Sequence, residues 1–193
     1  MEPSSLPDTL HNRIASANAL VGIIGLGYVG LPLAHAMHAA GYRVLGFDID
    51  PDKIDSLAKG QNYLKHLGDR MTRDLAVSDR FEATTDFARL AEPDAILVCL
   101  PTPLDDQHNP DLSFVVRAGE QIGRTLRPGQ LIVLESTTYP GTTRGEFAEA
   151  IQKGVRDKLR TGETPAPLTP APLKTAPLLL ERDYFLAYSP ERE

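Results

Sequence analysis

Short apolar runs recur along the chain between longer stretches of mixed polarity. Leu20 to Ile24, Val44 to Phe47, Phe81 to Thr84, Ala95 to Leu100, Leu131 to Leu134 and Tyr184 to Tyr188 each read as a strand. The intervening stretches read as helices with ordinary stop signals. An Ala- and Leu-rich segment ends at Gly41, and Pro51 opens a second helix that runs to Lys59 before Gly60. A polar helical stretch lies within Gln61 to Arg80, and Thr85-Asp86 caps a short helix through Leu90. Asp111 to Arg127 carries Leu112, Val115, Val116, Ile122 and Leu126 on an approximate apolar face, and Arg144 to Gln152 forms the next helix. The residues before Ala19 read as a short helix or arm.

One segment breaks the alternation. From Gly154 onward the chain holds the near-repeats TPAPL, TPAPL and KTAPL, with five prolines between Thr164 and Leu178. Proline removes backbone donors, so an extended, polyproline-like insertion is expected at about 154–180. Its plain role is a linker, and a docking segment is the alternative.

Composition narrows the class. With 41% hydrophobic and 24% charged residues, the 193 residues suit one soluble α/β domain rather than two. A formal charge of -6 with scattered basic residues argues against a nucleic-acid partner. Neither a signal-like N-terminus nor an apolar run of membrane-spanning length is present, so a cytoplasmic location is expected. The single cysteine, Cys99, excludes an intrachain disulfide and a cysteine-based metal cluster; it reads as a small buried strand residue.

The densest chemistry lies between Leu20 and Asp50. A strand runs into Gly25-Leu26-Gly27-Tyr28-Val29-Gly30, a helix follows, and the second strand ends in Asp48. Gly25 suits the tight turn, Gly27 admits a pyrophosphate to the backbone, and Gly30 lets helix and strand pack closely. The helix N-terminus then offers N–H groups and partial positive charge to phosphate. Asp48 is placed to accept from adenosine ribose hydroxyls, and its neighbours Ile49 and Asp50 offer no cation for a 2′-phosphate, which favours NAD over NADP. Another nucleotide cofactor, or a purely structural turn, remains the alternative on these residues. Lys53 is either a solvated lysine or a second ribose contact. Pro101 and Pro103 bracket Thr102 at a strand's carboxyl end, where its backbone and hydroxyl are expected to be free for the cofactor. Glu135 to Thr143, ESTTYPGTT, crowds hydroxyls at the next strand end, although Ser and Thr before a helix are also ordinary caps.

Taken together, GLGYVGLPLA, FDID, YLKH, CLPTPL, LESTTYPGTT and YSPER occur in the order seen in the UDP-glucose/GDP-mannose dehydrogenase family, which the sequence resembles. The likeness is strongest to the branch that oxidises UDP-N-acetylhexosamines to uronic acids for surface polysaccharides. It implies a Rossmann-type, doubly wound parallel sheet of about six strands in three α/β/α layers. It also implies a two-step oxidation of the sugar C6 alcohol to a carboxylate with two NAD, by way of a thiohemiacetal and a thioester on a cysteine. Under the resemblance, Thr138 matches a position that helps hold a water and Glu191 one that does acid/base work on the thioester. Asp48, Lys53, Thr102 and Thr137 match cofactor contacts, alongside Gly25, Gly27, Tyr28, Val29 and Gly30 of the turn.

The family's nucleophilic cysteine belongs to a C-terminal domain beyond a long central helix, and residues 1–193 hold neither. The expectation is therefore an NAD-binding half that binds cofactor without oxidising sugar, from an enzyme that is a homodimer when complete. A related β-hydroxyacid-type dehydrogenase, or a non-catalytic NAD-binding or regulatory module, is the competing expectation.

Overall fold

The computed structural model describes residues 5–65, 67–104, 110–161 and 178–190. The sheet is built from β1 (Leu20–Ile24), β2 (Arg43–Phe47), β3 (Phe81–Thr84), β4 (Ala95–Val98), β5 (Leu131–Leu134) and β6 (Phe185–Tyr188). Around it stand α1 (Leu6–Ala15), α2 (Gly30–Ala39), α3 (Pro51–Ala58), α4 (Arg70–Ala76), α5 (Ser113–Thr125) and α6 (Ala148–Thr161). All five strand pairings are parallel, in the order β3-β2-β1-β4-β5-β6. Strand order thus reverses between β1 and β4, the place where an open α/β sheet forms a crevice.

Successive side chains of a strand point to opposite faces, so the buried runs feed two cores. Val21, Ile23, Val44 and Leu97 pack with Leu31, Leu57 and Leu75 beneath α2, α3 and α4. Ile24, Phe47, Ile96, Val98 and Ile132 pack with Val115, Ile122, Phe147 and Ile151 beneath α5 and α6. These two clusters are the α layers expected of a doubly wound fold.

At the opposite end of the sheet from the crevice, Asp94 is 3% exposed and ties four segments together. Its carboxylate accepts from the Leu20 N–H at 2.9 Å and pairs with Arg13 at 2.8 Å and Arg127 at 2.9 Å. Arg127 in turn donates to the carbonyls of Ala91, Glu92 and Pro93. A buried charge paired and hydrogen-bonded in this way fixes the connections that precede β1, β4 and β5.

Element boundaries depart from the sequence expectation in three places. β4 ends at Val98, so Cys99 is not a strand residue but lies just past the strand, half-buried. Helix α5 starts at Ser113 because Asp111 Oδ1 accepts from the Ser113 N–H at 2.8 Å, a local turn that competes with helix. Most clearly, α6 continues to Thr161 rather than stopping before Gly154.

The reason lies in packing rather than propensity. A Cβ on Gly154 would sit 2.1 Å from the Glu120 carbonyl oxygen, and one on Gly123 would sit 2.1 Å from that of Ile151. The two glycines let the backbones of α5 and α6 touch, and this contact outweighs the helix penalty of glycine. Residues 154–161 are therefore helical and not part of an extended insertion; the TPAPL repeats themselves lie outside the described residues. Among the described residues, no helix is long and apolar enough to cross a membrane.

Replacing Gly123 with Ala should force α5 and α6 apart and cost about 2 kcal/mol of stability, read as a lower urea midpoint. An unchanged midpoint would mean that the backbone contact does not set the helix crossing.

Candidate functional site

The first structural requirement of the crevice is a turn tight enough to pass from β1 into α2. Gly25 takes φ +89°, and a Cβ there would meet the Cys99 carbonyl oxygen at 2.5 Å. At Gly30 an added Cβ would lie 1.8 Å from the Gly25 carbonyl oxygen, so the helix begins against the turn itself. Gly27 differs from both: nothing lies within 4 Å of where its Cβ would be, and it lines an open pocket. The N-cap residue of α2, Val29, supplies no side-chain cap; in the first turn the Leu31 N–H donates to the Gly27 carbonyl at 3.0 Å and Pro32 has no N–H, so an outside acceptor would meet the N–H groups of the turn that precedes the helix.

Asp48, at the end of β2, is 5% exposed and holds this turn in place. Its Oδ2 accepts from the Leu26 N–H at 2.9 Å and from Lys53 Nζ at 3.0 Å, while Oδ1 accepts from the Asp50 N–H at 3.0 Å. A carboxylate has about four lone-pair directions, which leaves acceptor capacity on Oδ1 for a hydroxyl at the pocket edge. Lys53 is thus neither a purely solvated lysine nor an independent contact. It neutralises the buried carboxylate while also lining the pocket.

The pocket has a volume of about 880 Å³ and runs across the carboxyl ends of β1, β2, β4 and β5. Of the residues expected at the site, Gly25, Gly27, Tyr28, Val29, Asp48, Lys53, Thr102 and Thr137 line it together. Gly30 lies behind the wall as the packing contact just described. Tyr28 is exposed, at 59%.

Thr102 corrects the expectation of a free hydroxyl. Its Oγ1 donates to the Thr137 carbonyl at 2.7 Å, tying the loop after β4 to the loop after β5. A second clamp lies just below: Ser136 Oγ donates to the Leu100 carbonyl at 2.7 Å and accepts from the Leu100 N–H at 3.2 Å. The two hydroxyls brace the strand-end loops that the pocket lies across. Thr138 is half-buried and not part of the pocket wall, so it is not brought together with the other residues. Glu191 lies outside the described residues.

The far wall was not anticipated. Phe114, Arg117, Ala118 and Gln121 of α5 line the pocket, joined by Phe87 and Ile49. The Arg117 guanidinium stands 5.0 Å over the Phe114 ring, and the rings of Phe47 and Phe87 are 5.8 Å apart. This end offers flat apolar and cationic surface suited to a planar base. A signal for it existed, because positions 114, 117, 118 and 121 share one helical face, next to the apolar stripe that seals the core. Among the described residues no group of His, Cys, Asp or Glu could hold a metal ion.

These features fit a dinucleotide: an open glycine for the pyrophosphate, an acid for a ribose, and a flat wall for the base. Comparison with known proteins agrees. Residues 19–193 match the sequence model of the UDP-glucose/GDP-mannose dehydrogenase family, NAD binding domain. The chain is 31% identical over 172 residues to UDP-N-acetyl-D-glucosamine 6-dehydrogenase of Pseudomonas aeruginosa, which covers 89% of this chain and 35% of that protein. It is 34% identical over 180 residues to UDP-N-acetyl-D-mannosamine dehydrogenase of Escherichia coli K12, covering 90% of this chain and 37% of that one. Among solved structures, NDP-N-acetyl-D-galactosaminuronic acid dehydrogenase of Methanosarcina mazei Go1 superposes with a TM-score of 0.74 at 28% identity. That match covers 99% of this chain and 38% of the other. The chain thus spans about a third of the length of the curated relatives it matches, 35% in the case of the Pseudomonas protein.

Replacing Asp48 with Ala removes the carboxylate at the pocket edge and leaves both the Leu26 N–H and Lys53 without this partner. NAD+ affinity measured by calorimetry should fall more than about tenfold. An unchanged affinity would take Asp48 out of the ribose site.

Proposed function

The chain belongs to the UDP-glucose/GDP-mannose dehydrogenase family, residues 19–193 forming its NAD-binding domain, and we propose that it serves oxidation of a UDP-N-acetylhexosamine C6 alcohol to the uronate. The observation that carries this reading is the Asp48 carboxylate locked beside the open face of Gly27, a ribose acceptor and a phosphate cradle on one pocket wall. The names of the relatives supply the sugar class, and surface polysaccharide is the product such uronates serve.

NAD supplies the hydride acceptor for each of the two oxidations. The protein's part in this half is to bind and orient it. Gly25 and Gly30 shape the turn, Gly27 with Tyr28 and Val29 faces the pyrophosphate, and Asp48 with Lys53 takes the adenosine ribose. The Asp48 carboxylate accepts from free ribose hydroxyls and is a poor neighbour for a 2′-phosphate, and the one cation beside it, Lys53, is engaged with that carboxylate, so NAD is preferred to NADP. Thr137 and Thr102, joined by their hydrogen bond, would meet the nicotinamide end. Thr138, outside the wall of the cofactor pocket, holds a water for the final hydrolysis, and Glu191 does acid/base work on the thioester. Cys99 lines the cofactor pocket with its carbonyl against the Gly25 turn, and as a residue of the NAD-binding domain it is not the nucleophile.

Residues 1–193 form this one domain, and the substrate's sugar is gripped by parts of the enzyme that these residues do not contain. They bind NAD without oxidising a sugar on their own, and the complete enzyme is a cytoplasmic homodimer acting on no nucleic acid or membrane.

Titration of the purified chain with NAD+ should saturate, and NADP+ should bind at least about tenfold more weakly. Added UDP-N-acetylglucosamine or UDP-N-acetylmannosamine should yield no rise in NADH absorbance. Steady NADH formation would overturn the division of labour proposed here, and absence of NAD+ binding would overturn the cofactor role of the pocket.

A further inference from the structure

Tyr63, in the connection between α3 and α4, has no role in the proposal above. Asn62 builds the local turn that presents it. The Asn62 side-chain amide donates to the carbonyls of Leu64, at 3.0 Å, and Leu67, and its Oδ1 accepts from the Leu64 N–H at 2.8 Å. Leu64 is buried in the core beneath α2 and α3, which anchors the turn. Tyr63 packs against the same core, and its hydroxyl donates to the Leu26 carbonyl at 2.6 Å.

That contact acts on the middle of the glycine turn. A peptide unit is planar, and in the trans form its C=O and the following N–H point in opposite directions. No cis peptide is present among the described residues. Holding the Leu26 carbonyl toward Tyr63 therefore points the Gly27 N–H the opposite way, away from Tyr63. Leu26 is fully buried, whereas Gly27 lines the pocket and has open space where a Cβ would stand. Tyr63 itself packs against the core and is not part of the pocket wall, so the side away from it is the one open to the pocket. Glycine also offers little resistance to a peptide flip, so something outside the turn has to choose the orientation.

We propose that Tyr63 is a positioning residue for the cofactor's pyrophosphate: its hydroxyl holds the Leu26 carbonyl on the buried side and so aims the Gly27 N–H into the pocket. Asp48 fixes the preceding peptide through the Leu26 N–H, and the two contacts together set both peptides that flank Leu26. Burial first, and then the nearby charges of Asp48 and Asp50, push the Tyr63 phenol well above its ordinary value. The hydroxyl consequently remains a donor across the neutral range. This inference rests on the dinucleotide reading of the site.

The test is Tyr63→Phe in the full chain, titrated calorimetrically with NAD+, ADP-ribose and adenosine. Loss of orientation should raise the dissociation constants of NAD+ and ADP-ribose by about five- to tenfold, since both carry the pyrophosphate. Adenosine binding should not change, and the melting point should fall by no more than about 4 °C. Equal loss for adenosine, or no loss for the two pyrophosphate ligands, would overturn the proposal. A second measurement needs no variant: in the wild-type chain the Gly27 amide resonance should shift on addition of ADP-ribose and stay in place with adenosine. A stationary Gly27 amide would overturn the proposal even if the variant failed to fold. Should the wild-type chain bind none of the three ligands, the dinucleotide reading falls and takes this inference with it, an outcome distinct from intact binding that ignores Tyr63.

Discussion

A buried carboxylate has to find donors, and in this protein that need organises the whole upper end of the sheet. Asp48 satisfies itself on the Leu26 N–H, the Asp50 N–H and Lys53, that is, on the β1–α2 turn, the β2 exit and the first turns of α3. The donors come from two connections, β1–α2 and β2–α3, so the single side chain sets their mutual placement. With Oδ2 shared by two donors and Oδ1 holding one, the acceptor capacity that remains faces the pocket. The structural role of Asp48 and the ribose-binding role proposed for it are therefore one arrangement, and they cannot be separated by any substitution that removes the charge.

The second constraint is closeness of backbones, and it sorts the glycines into different roles. Gly25 and Gly30 are required by contact with the Cys99 and Gly25 carbonyls, and Gly123 and Gly154 by the crossing of α5 and α6. Gly27 is required by no protein atom. Gly68, Gly141 and Gly145 have the same open space, but Gly27 alone among these lines the pocket, where the turn before α2 forms the wall. Rigidity elsewhere gives this vacancy a defined shape: Asp94 with Arg13 and Arg127 secures the far ends of the strands, while Thr102 and Ser136 secure the near ends of β4 and β5.

Much of this could be read from the chain because the four central strands are short, apolar and buried on both faces, so their hydrophobic runs stand out between polar stretches. The glycine turn and Asp48 were legible for a related reason, since the tight turn admits few residue types and the acid must sit one βαβ unit later. What could not be read depends on partners distant in sequence. Gly154 looks like a helix breaker until Gly123 is set against it, and Thr102 looks like a free hydroxyl until the Thr137 carbonyl is brought to 2.7 Å. The face Phe114, Arg117, Ala118 and Gln121 has helical spacing, but the apolar stripe beside it on α5 is stronger and draws attention to the core instead.

Tyr63 belongs to the same class of residue, invisible in one dimension and decisive in three. Its loop is far from the turn in sequence, and its aromatic ring would serve equally well as core packing. Only the hydroxyl distinguishes it from phenylalanine, and that hydroxyl is spent on a carbonyl of the turn rather than on solvent. The turn is thus held from below by a neutral donor to Leu26 C=O and from the side by an anionic acceptor to Leu26 N–H. A donor and an acceptor on the same residue leave the Leu26 backbone with no unsatisfied polar group and no freedom to rotate. A phosphate cradle made from glycine needs such external fixing, because the flexibility that lets a ligand approach the backbone would otherwise let the backbone turn away from it.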